Sequence, residues 1–191
     1  MQRILSLFLV LFGGAAIGVY SAKLALDANL SGDLTRAGPW EIRMSESLES
    51  ADPYARAERA RSGAIPLAAG EGFTLKARID SDGRPLDGHC IYRVTGDTPA
   101  ARFWSLTLFD EEGQVVPNAA RRQSFSSTEL SRDDKGRYAI AIASEVQPGD
   151  WLPAPATTGF VLLLRLYDTP VGAGASVTSR QVPAISRRAC A

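Results

Sequence analysis

Between Arg3 and Lys23 the chain runs for nineteen residues without a charge, ILSLFLVLFGGAAIGVYSA. As a helix rising about 1.5 Å per residue, that segment nearly matches a hydrocarbon core about 30 Å thick. Two readings fit it. A cleaved signal peptide has a basic start, an apolar run and small residues at the cut, and Ile4 to Phe12 followed by Gly14-Ala15-Ala16 meets that pattern. An uncleaved anchor accounts for the apolar residues that continue through Ile17, Val19, Tyr20, Leu24 and Leu26. The continuation favours the anchor, so residues 1–22 are expected to be a transmembrane signal anchor touching the lipid bilayer over residues 4–22. Arg3 and the amino terminus lie before the segment, which favours a cytoplasmic N-terminus and a periplasmic remainder, a single pass through an inner membrane.

The whole chain carries 21 Lys+Arg and 21 Asp+Glu, a formal net charge of +0. Removing residues 1–22 takes away Arg3 alone, so the exported part has one acid in excess. Such a balance excludes nucleic-acid binding by bulk positive charge. With one histidine and two cysteines in all, a zinc site with four N/S ligands is ruled out in practice, and no cofactor is expected. A hydrophobic share of 45% fits a folded domain rather than a disordered chain.

Residues 23–50 read as a stalk and lead-in segment. Asp27, Asn29, Ser31, Gly32 and Asp33 are turn formers, Gly38-Pro39 breaks a helix, and Trp40, Ile42 and Met44 alternate with polar residues as in a short strand. Residues 51–191 are expected to form one periplasmic β-sandwich with a short helix at its start. Asp52 suits an N-cap, Pro53 the first helical position and Gly63 the stop. After that the pattern has period two. Strands are expected over Phe73–Ile79, Cys90–Val94, Phe103–Phe109, Ser124–Leu130, Tyr138–Ile142 and Phe160–Tyr167, separated by turns such as Ser81-Asp82-Gly83, Asp110–Gly113 and Asp133–Gly136. Gly172–Ser176 reads as a loop. The fold class is mainly β, a jelly-roll-like antiparallel sandwich.

Few residues carry chemistry. His89 beside Cys90 does not make a nucleophile pair, because adjacent strand residues point to opposite faces. Cys90 and Cys190 both follow the export segment, so an oxidising compartment would join them as one disulfide. Arg102, Trp104, Asp110, Trp151, Arg165 and Tyr167 lie on or beside the most regular late segments. If Arg102 and Trp104 share one strand face, and Arg165 and Tyr167 another, the group lines a groove suited to carboxylate or sugar ligands. The structural alternative is a core tryptophan and an arginine paired to an acid such as Asp168 or Asp110.

The segment PAARFWSLTLFD (99–110) and the pair PGDWLP (148–153) and FVLLLRLYDTP (160–170) resemble signatures of the domain of unknown function 1214 family, over about residues 70–191. Gly38-Pro39-Trp40 and Asp52-Pro53-Tyr54 through Arg61 are similar to its small, membrane-anchored bacterial form. The family pattern usually has Asn before the second tryptophan, where Asp150 stands here. The resemblance implies a jelly-roll β-fold and no established activity.

The function expected from these features is a membrane-anchored binding or interaction module of the cell envelope, its partner an envelope protein or a small polar ligand. The alternative is an enzyme acting on a carbohydrate or other small polar substrate, with Arg102 and Asp110 near Trp104.

Overall fold

The computed structural model describes residues 2–27, 34–43, 53–62, 67, 71–169 and 177–190. It divides into two compact units, residues 1–33 with 48–65 and residues 34–47 with 66–191.

The described residues of the first unit form two helices. Helix α1 spans Gln2–Asp27, about 39 Å at the usual rise. Its apolar side chains, among them Ile4, Leu7, Phe8, Val10, Phe12, Ile17, Val19 and Tyr20, are exposed all round. A helix apolar on every side requires an apolar surrounding. The stretch Ser6–Leu26 is long and apolar enough to cross a membrane, a property that signal sequences share. The helix also runs past Ala22, so residues 23–27, assigned to the stalk on sequence, are helical. Helix α2, Pro53–Ser62, occupies the expected stretch with Pro53 at its first position. Its expected caps, Asp52 and Gly63, lie outside the described residues.

The second unit is mainly β, with two sheets. Its strands are β1 (Leu34–Ala37), β2 (Trp40–Arg43), β3 (Gly72–Ala77), β4 (Cys90–Thr95), β5 (Phe103–Asp110), β6 (Ser124–Ser126), β7 (Ala139–Ala143), β8 (Asp150–Pro153), β9 (Phe160–Tyr167) and β10 (Ala184–Cys190). A six-stranded sheet has the order β1-β2-β3-β9-β5-β6, and a four-stranded sheet the order β10-β4-β7-β8.

Period-two alternation places the core. Phe73, Leu75 and Ala77 on β3, Trp104, Leu106 and Leu108 on β5, and Leu162, Leu164 and Leu166 on β9 are buried, as are Tyr92, Val94, Ile140, Ile142, Leu152 and Ile185 from the other sheet. Each large aliphatic side chain so buried contributes about 2 kcal/mol. Trp40 is fully buried and its indole N–H donates to the Pro183 carbonyl at 2.7 Å. That bond ties β2, in one sheet, to the residue that leads into β10, in the other.

Three strands depart from the sequence reading. Residues 34–37, assigned to the stalk, form edge strand β1, paired with β2 through a turn at Gly38-Pro39. Strand β10 has only Ile185 fully buried, and its two arginines hide any alternation. Strand β8 lies parallel to β7, with Ile140 opposite Asp150 and Ala143 opposite Pro153. Every other strand pair among the described residues is antiparallel. A parallel neighbour usually needs a long crossover. Here both strands are so short that residues 144–149 suffice to carry the chain back, with Gly149 at φ 81°. The expected strand over 124–130 is confined to 124–126, after which the chain turns. The glycine-rich segment 172–176, Met44 and the turn formers at 29–33 lie outside the described residues.

Candidate functional site

The six residues singled out on sequence do not form one groove. Trp104 points inward: it is buried, and its ring lies 5.1 Å from that of Tyr138. Burial in turn pushes the Tyr138 phenol pKa up. Arg165 and Tyr167 alternate with buried Leu164 and Leu166, so they lie on the opposite, outer face of the same sheet. Arg102, just before β5, is exposed and pairs with Asp168 at 3.3 Å, which is the structural alternative for this arginine. Asp110 ends β5 and accepts the Gln114 amide at 2.6 Å, bracing a tight turn. Since β5 rises about 3.4 Å per residue, Arg102 and Asp110 stand roughly 27 Å apart. They cannot act on one substrate, and the catalytic pairing proposed on sequence fails for that reason.

Trp151 belongs to the other sheet. It stands opposite Ala141, and its indole N–H donates to the Ala143 carbonyl at 3.0 Å, so the ring lies along β7. Asp150 accepts the Ser131 amide at 2.8 Å. His89 sits in an exposed turn, with Nδ1 2.8 Å from Asp87 Oδ1. Hydrogen bonds from the His89 amide and ring hold the Asp87 carboxyl below its ordinary value.

What remains of the predicted set is Arg165 and Tyr167, and the register shows what surrounds them. Thr74, Arg165, Ser105 and Ser126 form one row across β3, β9, β5 and β6. Lys76, Leu163, Thr107 and Ser124 form the row on one side, and Gly72, Tyr167 and Phe103 the row on the other. The Phe103 and Tyr167 rings pack with centroids 5.7 Å apart. Among the described residues, the Arg165 guanidinium and the hydroxyls of Thr74, Ser105, Thr107 and Ser124 bond to no other side chain or backbone group. Elsewhere the charges near this face are matched: Arg36 with Glu41 at 3.1 Å, and Arg102 with Asp168. The serines and threonines of this face were missed on sequence. Their signal was present, since they are the polar half of each alternating strand, but only cross-strand register aligns them with Arg165.

The disulfide expected on sequence is present between Cys90 and Cys190, which stand directly opposite each other on β4 and β10. In the turn after β3, Asp80 is the one fully buried acid among the described residues. Burial by itself would raise its pKa. The Arg84 amide and guanidinium, the Asp82 amide and the Arg84 charge outweigh that and hold it below its ordinary value.

No curated protein matches the chain. Two crystal structures are similar to the chain to different degrees. The VPA0106 protein from Vibrio parahaemolyticus has a TM-score of 0.63 and 23% identity, covering 92% of this chain and 44% of that one. An uncharacterized protein from Burkholderia cenocepacia has a TM-score of 0.45 and 18% identity, covering 91% of this chain and 42% of that one. The chain therefore spans less than half the length of either. The first likeness shows the same mainly β fold. The family described as protein of unknown function, DUF1214, matches residues 71–171, more than half of the sequence. That stretch runs from the start of β3 past the end of β9 and includes all three segments that resemble its signatures, and the chain belongs to this family.

Proposed function

We propose that this chain is a membrane-anchored binding module of the cell envelope, with α1 as an uncleaved anchor in the inner membrane, the N-terminus cytoplasmic and the β-unit in the periplasm. The outer face of the six-stranded sheet is its binding surface. The observation that carries this reading is the row Thr74–Arg165–Ser105–Ser126, in which the Arg165 guanidinium stands among hydroxyls with no bonding partner among the described residues. The all-round apolar helix and the disulfide support export to an oxidising compartment.

Co-sedimentation tests the reading. Cells expressing the full chain are dissolved in mild detergent, so that the bilayer no longer retains it, and the insoluble envelope fraction is collected. Wild type and Arg93→Glu, a charge reversal on an exposed residue of the four-stranded sheet, are expected to sediment with that fraction, and Arg165→Glu to be released. Equal behaviour of all three proteins refutes the assignment of this face.

A further inference from the structure

We propose that the outer face of the six-stranded sheet takes a carboxylate-bearing glycan chain, a ligand class that rests on the reading of this face as the binding surface. Arg165 supplies the charge. Its planar guanidinium matches a carboxylate in two parallel hydrogen bonds, and it makes no ion pair among the described residues: Glu41 is held by Arg36, Asp168 by Arg102, and Glu129 accepts the Ser126 amide. The hydroxyls of Thr74, Ser105, Thr107 and Ser124 each donate and accept, as sugar hydroxyls do. They flank Arg165 in two neighbouring rows. Strands about 4.8 Å apart place Thr74 and Ser126 roughly 14 Å from each other, so the polar row is extended rather than a point.

The aromatic pair sets the other border. Phe103 is partly exposed and packs on Tyr167, two residues beyond Arg165 on the same face. It gives the apolar C–H side of a pyranose ring a surface to lie against, while the sugar's hydroxyls and carboxylate turn to the polar row. An acidic peptide fits less well. The face of a sheet offers side chains only, and an extended peptide satisfies its backbone at a sheet edge instead.

The probes are a hexamer of galacturonic acid and its fully methyl-esterified form, which has the same rings without the charge. The full-length chain is held in nanodiscs of zwitterionic phosphatidylcholine, and binding is measured by calorimetry. The acid hexamer is expected to bind at least tenfold more tightly than the ester, and less tightly as salt rises. Arg165→Gln is expected to abolish that preference, and Tyr167→Ala to weaken both ligands, with unchanged melting curves. Equal binding of acid and ester overturns the proposal, as does binding of neither. Equal binding of a hexamer of glutamate also overturns it, in favour of an acidic peptide. If any of these occurs while Arg165→Glu is still released from the envelope fraction and Arg93→Glu is not, the glycan class fails and the face stands as the binding surface.

Discussion

Arg187 of the last strand places its Nε 3.2 Å from the buried Asp80 carboxylate. The Nε makes no hydrogen bond, so the contact is Coulombic. The same guanidinium donates to the Pro85 carbonyl and lies 5.4 Å above the Tyr92 ring. Asp80 also accepts the Asp82 and Arg84 amides at 3.0 and 2.9 Å and the Arg84 side chain at 3.0 Å. One buried acid thus joins the turn after β3 to β10. Asp80→Asn removes the charge and leaves Arg187 facing a neutral partner. Breaking a buried pair costs about 3 kcal/mol, and chemical denaturation is expected to show a loss of that order.

The same carboxylate sets an acid limit. Its pKa is depressed in the fold, so its contribution is complete above the ordinary value of 3.8 and is lost as pH falls below that toward the folded value. Wild-type melting temperature is therefore expected to drop steeply below about pH 4, and Asp80→Asn to drop less across that window. Parallel pH curves for the two proteins would remove Asp80 from this role.

The disulfide closes a loop of 100 residues. In the chain-entropy account such a link stabilises by up to about 4.7 kcal/mol. Cys190→Ala is expected to unfold at lower denaturant and to leave the last residues of β10 open to proteolysis. The full chain isolated from membranes should show no free thiol under non-reducing mass spectrometry.

Trp104 and Arg102 separate packing from binding. Trp104→Ala empties a buried site beside Tyr138 and is expected to cost about 3–5 kcal/mol. Arg102→Ala removes an ion pair with both partners mostly exposed, which contributes about 0–1 kcal/mol. Thermal melts distinguish them, and neither loss is a direct loss of ligand contact.

Gly72 marks the rim of the proposed surface. Its φ is 154°, and a Cβ there would overlap the Leu166 carbonyl oxygen. Gly72→Ala is expected to push β3 away from β9 and to disturb the row of Tyr167 and Phe103 even where the core stays folded. Weaker exchange protection of the Leu166 and Tyr167 amides would register that separation.

Much of this fold was legible because period-two alternation reports a sheet with one dry face. Phe73, Leu75 and Ala77, or Trp104, Leu106 and Leu108, mark their strands unaided. Strand β10 was not legible, because an edge strand buries one side of a few residues and Arg187 is drawn inward by Asp80, a partner far away in sequence. The parallel placement of β8 was hidden for a related reason: it depends on how far six linking residues reach, not on their identity. In the site, Arg165 and Tyr167 were found as a spacing of two. Trp104 was assigned to the same groove because strand direction alone does not say which face of β5 meets which face of β9. Register decides that, and it puts Trp104 opposite Leu166 in the core.

The central claim is that one face of one sheet meets the envelope ligand. A photoreactive side chain tests it most directly: Ser105→p-benzoylphenylalanine at the middle of the row, and Arg93→p-benzoylphenylalanine on the four-stranded sheet, each in the full chain and irradiated in living cells. The account predicts a discrete covalent adduct from position 105 and none from position 93. Adducts from position 93 alone, from both positions equally, or from neither would contradict it.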